Sequence, residues 1–253
     1  MNEVRRVFIL CLGLALAGAV QGQDQEQAEV ETLRLVASEW PPYVDANVPR
    51  NGLAPQLVLA ALRRAGYRVQ LFIDYWPRSL TALQAGEFDA MVSLWFTDDR
   101  NESIAFSEPF MTNQLQFMKR SADAIKLTTR EDFVGLRVGV VEDYAYSEKK
   151  YDTSGIDIVS GGSVGENIDS LLAGELDLVL GDALVLRHQA DLRRAYRKVE
   201  VLPLVLESRG LHFGVSRQRP DHEEIVKAFN ESIEAMRADG SYASLMANYR
   251  ISN

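Results

Sequence analysis

The chain has 253 residues, of which 47% are hydrophobic and 25% charged, with 17 Gly and 8 Pro, and these fractions exclude a disordered or collagen-like chain. Its 27 Lys+Arg against 36 Asp+Glu leave a net charge of −9, so the counterion-releasing basic face that nucleic acids require is missing and no nucleic-acid partner is expected. A chain of this length sits near the size at which one hydrophobic core gives way to two.

The first elements are a charged start, Arg5 and Arg6, and an apolar run over residues 7–20 with small residues at Ala17, Gly18, Ala19 and Gly22. This reads as a signal peptide over residues 1–22 of a periplasmic protein. The fourteen apolar residues, rising about 1.5 Å each, fall short of the roughly 30 Å of hydrocarbon that a membrane anchor must cross. Cleavage after Gly22 removes Cys11, the only cysteine, leaving a thiol-free chain that must draw its stability from packing. Cys11 follows Leu10 rather than a small residue, so a soluble protein is expected rather than a lipoprotein.

Beyond residue 22 the order of elements repeats. The first half reads as a strand from Leu33, a helix over 55–65 stopped by Gly66, a strand over 68–73, a helix over 78–85 and a strand over 90–94. In the second half, a strand over 137–141 precedes a helix over 145–150, a strand over 156–160, a helix over 163–173 and a strand over 178–180. Leu83-Gln84-Ala85-Gly86-Glu87-Phe88-Asp89 matches Leu171-Leu172-Ala173-Gly174-Glu175-Leu176-Asp177 at five positions, and Leu33-Arg34-Leu35-Val36 pairs more weakly with Leu136-Arg137-Val138-Gly139. Each longer copy ends a helical pattern at a glycine suited to a left-handed cap, then opens an apolar strand.

Strands alternating with helices call for parallel sheets with right-handed crossovers, so two α/β units are expected. The tail, a strand over 211–216, a helix over 221–238 and a short helix ending at Tyr249, fits no third unit and is expected to pack on the first. The chain then crosses between units near 113–119 and again near 206–211. The expected lobes are residues 23–116 plus 210–253 and residues 117–209, joined by a two-crossing hinge.

Ligands of open α/β sheets bind beyond the carboxyl ends of the strands. That rule selects Glu39, Trp40, Pro42, Tyr43, Trp95, Phe96, Thr97 and Arg100 in the first half, and Glu142, Asp143, Tyr144, Tyr146 and Asp182 in the second. A guanidinium that can fork onto a carboxylate, a carboxylate that can accept from an ammonium, and rings between them suit a small zwitterion. Arg100 also stands among Asp98, Asp99 and Glu102, where a surface ion pair is the plainer reading, and Asp182 is placed to cap a following helix.

No metal and no cofactor are expected: His188, His212 and His222 lack ligand spacing, and no phosphate-cradling loop occurs. Gly161-Gly162-Ser163-Val164-Gly165 fits a nucleophile elbow, but Ser163 followed by Glu166 is a capping box, which explains the serine without chemistry.

Trp76-Pro77-Arg78-Ser79-Leu80, Leu83-x-x-Gly86-x-x-Asp89, Thr97-Asp98-Asp99-Arg100 and Ile104-Ala105-Phe106-Ser107-Glu108-Pro109-Phe110 resemble the family 3 extracellular solute-binding proteins of bacterial polar amino-acid ABC transporters, and Gly174-x-x-Asp177 with Asp182 agrees in order and spacing. The resemblance implies an α/β fold of the two-lobed periplasmic-binding-protein type II. It also implies that Thr97 and Arg100 hold a ligand α-carboxylate, that Asp182 holds its α-amino group, and that Tyr43 walls the side-chain pocket. The partners implied are a small amino acid or related amine and a membrane permease, with the protein acting as a monomer and not as an enzyme.

Two segments depart from the family pattern: bulky Leu94, Trp95 and Phe96 stand where small residues are common, and Glu142-Asp143-Tyr144-Ala145-Tyr146 replaces a Gly- and Ser/Thr-rich helix start. That second departure leaves room for a membrane sensor as the partner. It also leaves room for a cyclohexadienyl-dehydratase-like enzyme, with Glu142 as the acid.

Overall fold

The computed structural model describes residues 32–142, 144 and 155–247. The expected signal peptide, Cys11, the helix over 145–150, Asp143, Tyr146 and Tyr249 lie outside the described residues. In chain order the elements are β1 (Thr32–Ser38), α1 (Leu53–Arg64), β2 (Arg68–Asp74), α2 (Trp76–Gln84), β3 (Ala90–Trp95), α3 (Asp98–Asn101), β4 (Ile104–Phe106) and β5 (Met111–Arg120). They continue with β6 (Arg137–Val141), β7 (Asp157–Gly161), α4 (Val164–Ala173), β8 (Leu178–Asp182), α5 (Ala183–Leu192), β9 (Val199–Ser216), α6 (His222–Ala238) and α7 (Ser241–Ala247).

Each helix forms because its apolar residues share a face. In α1, Leu57, Val58, Ala61 and Leu62 recur at helical spacing and none is exposed. Each such side chain contributes about 1.5 to 3 kcal/mol when fully buried. Helix α4 begins at Ser163, whose hydroxyl accepts from the Glu166 N–H at 3.1 Å, and stops at Gly174, left-handed at φ 81°. The Glu166 carboxylate turns back to the Gly162 N–H at 3.2 Å, one residue earlier than in a standard capping box.

The sheet runs β2-β1-β3-β9-β5-β8-β6-β7, with β4 pairing β9 on the side. One plan is used twice. In the first half β1 lies parallel between β2 and β3, and β3 is followed by antiparallel β9 and then β4. In the second, β6 lies parallel between β7 and β8, and β8 is followed by antiparallel β5 and then β9. The fourth strand of each set thus comes from the other half of the chain. Strands β5 and β9 pair from Met111↔Leu211 to Arg120↔Val199, making a two-stranded ribbon that runs through both sets.

Helices α1 and α6 pack together over the first set, with α6 also on β4 and β9, and α4 and α5 pack together over the second. Phe213 of β9 stacks on Phe229 of α6 at 4.6 Å, which places the tail on the first set. This is the two-lobed periplasmic-binding-protein architecture.

Two boundaries are corrected. Strand β9 begins at Val199, twelve residues before the strand that the sequence suggests at 211, because the register shifts opposite Gln116 and Met118 accommodate Pro203, which cannot donate to a regular ladder. Helix α2 begins at Trp76, ahead of the expected Arg78, because Pro77 is tolerated in a first turn, where its missing N–H would be unpaired anyway.

Candidate functional site

At the carboxyl end of β1 the chain turns tightly: the Trp40 N–H donates to the Val44 carbonyl at 2.9 Å and the Tyr43 N–H to the Trp40 carbonyl at 2.9 Å. The turn packs the two rings against each other, tilted by 33°. Trp40 faces a cavity of about 60 Å³, while Tyr43, 2% exposed, lies behind it with ring centroids 4.7 Å apart. The Glu39 carboxylate accepts from the Ala46 N–H at 2.9 Å and lies at the cavity's edge.

At the end of β3, the Trp95 indole N–H donates to Asn113 Oδ1 at 2.8 Å, which fixes the ring against the hinge strand β5. The Thr97 hydroxyl caps α3 by accepting from the Arg100 N–H at 3.2 Å. This one-turn helix swings the Arg100 side chain back over the strand end, where its Nη1 donates to the Trp95 carbonyl at 3.0 Å and its guanidinium lies 5.0 Å from the Trp76 ring centre. Arg100 makes no ion pair with Asp98, Asp99 or Glu102 among the described residues. Burial, then the nearby charge of Arg209, lowers the pKa of its guanidinium from the ordinary arginine value. Arg209 itself lies 4.8 Å over the Trp95 ring and donates to the Phe96 carbonyl at 3.2 Å.

The second half contributes Tyr144, set edge-on to Trp95 at 5.8 Å and to Trp40 at 6.5 Å. Burial, then the charge of Asp182, pushes its hydroxyl up to about 12. Asp182 is 3% exposed and ends β8, where Oδ1 accepts from the Leu184 and Val185 N–H groups at 2.9 and 3.2 Å and so caps α5. It also binds across the two halves: Oδ1 accepts from the Tyr43 hydroxyl at 3.0 Å and Oδ2 from the Gln114 N–H at 3.1 Å. Burial raises its pKa and these four bonds oppose the rise.

Of the residues expected at the site, Glu39, Trp40, Trp95, Arg100 and Tyr144 therefore line one cavity. Tyr43 and Asp182 are joined behind it, Thr97 serves as a helix cap, and Glu142 is an exposed turn residue whose N–H donates to the Gly161 carbonyl at 3.0 Å. Sequence reasoning passed over Ser38, Trp76 and Ser93, which also line the cavity. Trp76 was within its reach, because it follows the carboxyl end of β2 as Trp40 follows β1. Among the described residues no His, Cys, Asp and Glu side chains are grouped to hold a metal ion, and no helix is long and apolar enough to cross a membrane.

The chain is 27% identical over 179 residues to the lysine/arginine/ornithine-binding periplasmic protein of Escherichia coli, covering 67% of each chain. It is 25% identical over 256 residues to a probable histidine-binding protein of Neisseria gonorrhoeae, covering 95% of this chain and 92% of that one. Among solved structures, a histidine kinase sensor domain with similarity to periplasmic binding proteins superposes with a TM-score of 0.76 at 19% identity, over 88% of this chain and 97% of that one, a likeness of fold alone. The sequence profile of the bacterial extracellular solute-binding proteins, family 3, matches residues 34–251. With that match spanning most of its length and the double α/β plan beneath it, the chain belongs to this family of extracellular solute-binding proteins.

Proposed function

We propose that the protein is exported to the periplasm, closes on a small carboxylate-bearing solute, an amino acid or a related amine, and presents the closed form to the permease of an ABC-type uptake system. The observation that carries this reading is Arg100. It is a half-buried guanidinium without a carboxylate partner among the described residues, set in an aromatic cavity where the strand ends converge. The lobes of this reading are residues 23–116 plus 210–253 and 117–209, with the β5–β9 ribbon as the hinge, and export relies on a signal peptide over residues 1–22. The protein holds its ligand without converting it: Glu142, the side chain that sequence offers as an acid, is exposed and does not line the cavity.

The test is Arg100→Ala. A thermal-shift screen of amino acids, polyamines and organic acids first identifies a ligand, since binding to the folded state alone raises the melting temperature. Charge-assisted bonds to a carboxylate are worth about 1.5 to 3 kcal/mol each, so calorimetry of Arg100→Ala should show affinity reduced by at least about tenfold. Arg100→Lys should recover only part of the loss, because an ammonium keeps the charge but not the fork. Wild-type affinity in Arg100→Ala would remove the carboxylate anchor. Depletion of the bound ligand over time would remove the non-enzymatic reading.

A further inference from the structure

Helices α4 and α5 stop in the same way with different residues. In α4 the left-handed stop is Gly174, at φ 81°, and the next N–H, that of Glu175, donates back to the Ser170 carbonyl at 2.9 Å. In α5 the left-handed stop is Arg194, at φ 53°, and the next N–H, that of Ala195, donates back to the Ala190 carbonyl at 2.8 Å. A side chain at this φ strains a backbone that glycine leaves relaxed, and such strain collects at places that bind.

The side chain that brings this strain makes no bond inside the protein. Arg194 is exposed, as are Arg187, Arg197 and Lys198, and none of the four has a carboxylate partner among the described residues. Residues 187–198 hold five Lys or Arg against one carboxylate, Asp191, in a chain whose net charge is −9. The fifth cation, Arg193, is the engaged one and pairs with Asp169 at 2.8 Å, and the next carboxylate along the chain, Glu200, is held by Lys119 at 2.8 Å. Among the free cations Leu192 and Tyr196 are 64% and 60% exposed, and the Arg197 guanidinium stands 5.5 Å from the Tyr196 ring centre. These residues lie at the end of the second set remote from the cleft. Helix α5 starts beside Asp182 at the strand ends and runs about 15 Å away over its ten residues, and Val199 opens β9 opposite Arg120, the last residue of β5.

We propose that this pole of the protein docks on an anionic phospholipid surface. Free guanidinium and ammonium groups suit a lattice of phosphates, and a projecting leucine and tyrosine among them suit the boundary between headgroups and acyl chains. A protein partner would need a broad, close-packed face, whereas the pole offers long side chains on one helix end and its connecting loop. The charge on the rest of the chain is screened beyond about 8 Å at physiological salt, so the acidic surface does not prevent the approach. Docking here leaves the cleft uncovered. The inference adds to the proposed function and takes from it only the export step.

Vesicle sedimentation of the exported chain, without residues 1–22, tests it, with phosphatidylglycerol mixed into phosphatidylcholine as one probe and phosphatidylcholine alone as the other. Binding is expected to the first and not to the second, and it should be lost between about 0.1 and 1 M salt as the Debye length falls from about 10 to 3 Å. Arg194→Gly should weaken binding about fivefold, while its melting temperature holds or rises because glycine is relaxed at this φ. Combining Arg194→Gly with Arg197→Gln and Lys198→Gln should weaken binding at least about thirtyfold and leave solute affinity unchanged, so vesicle and solute binding can each fail alone. Wild type that ignores the phosphatidylglycerol vesicles, or a triple variant that binds them equally well, overturns the inference. If wild type ignores them and the triple variant loses self-association or an acidic protein partner, the pole belongs to that partner instead. A lowered melting temperature in Arg194→Gly with unchanged vesicle binding makes Arg194 a structural cap and also overturns it.

Discussion

Asp177, the residue before β8, ties that strand's start to the first residue of β6. Its carboxylate accepts from the Arg137 backbone N–H at 2.9 Å and from Arg137 Nε and Nη2 at 3.0 and 2.9 Å, while its own N–H donates to the Arg137 carbonyl at 2.9 Å. The side-chain bond from Arg137 is the largest of the influences that hold the Asp177 carboxyl down at about 2. A carboxyl lower in the folded state than in the unfolded chain stabilises the fold above about pH 4, and that contribution disappears as pH falls through about 2. Wild type should therefore melt above Asp177→Asn at neutral pH, and the gap should narrow between about pH 4 and pH 2. Melting curves of both proteins across that interval provide the check, and a gap that persists undiminished at pH 2 contradicts the assignment.

The backbone part of this tie exists in the other half, where the Arg34 guanidinium donates to the Glu87 carbonyl and Arg219 pairs with the Asp89 carboxylate, and it explains the internal repeat. Asp89 accepts from the Arg34 N–H at 2.6 Å and donates to the Arg34 carbonyl at 2.9 Å, so the two aspartates and the two arginines of the repeated sequences are partners in both copies. At the element scale, Ser163 is a cap rather than a nucleophile. Ser163→Ala should cost about 1 kcal/mol, lower the melting temperature by roughly 2 to 4 °C and leave ligand affinity unchanged. Ester turnover that wild type has and Ser163→Ala lacks would reverse that conclusion. Strand β9 is close-packed at Gly214, where an added Cβ would stand 2.8 Å from Ile104 Cγ2 and 2.9 Å from Leu94 Cδ2. Gly214→Ala should therefore destabilise by about 1 to 3 kcal/mol, read as a lowered denaturation midpoint, and an unchanged midpoint would show that the strand yields. What the sequence showed and hid follows the range of each signal. Helix α4 was legible because a serine cap and a glycine stop lie within its own segment. The first twelve residues of β9 were not, since Pro203 and Gly210 read as breakers and only pairing with distant β5 overrides them. The commitment of Asp182 was hidden for the same reason: Tyr43 and Gln114 are 139 and 68 residues away in the chain.

On the scale of the whole molecule, these contacts decide which arrangement of the halves is favoured without ligand. The cavity of about 60 Å³ has room for roughly four to six waters at about 10 to 15 Å³ each, so the rings must part for any larger ligand to occupy the site. Across the two halves the arrangement is held by the Tyr43 hydroxyl on Asp182 and by the edge contacts of Tyr144 with Trp40 and Trp95. Tyr43→Phe removes the first while keeping the ring, and Asp182 retains its three backbone donors. The loss of one buried hydrogen bond, about 1 kcal/mol, shifts an open–closed equilibrium by about fivefold toward open. All three tryptophans of the chain, Trp40, Trp76 and Trp95, line the cavity, so selectively excited tryptophan fluorescence reports on this place. Without ligand, Tyr43→Phe should be quenched more readily by acrylamide than wild type and should scatter with a larger radius of gyration. Saturating ligand should bring Tyr43→Phe back to the smaller radius of wild type, because the ligand then supplies the contacts that bridge the halves. Equal quenching and equal radii in the unliganded proteins would show that the Tyr43–Asp182 bond does not hold the halves together, and a Tyr43→Phe radius unmoved by saturating ligand would rule out closure about the β5–β9 ribbon.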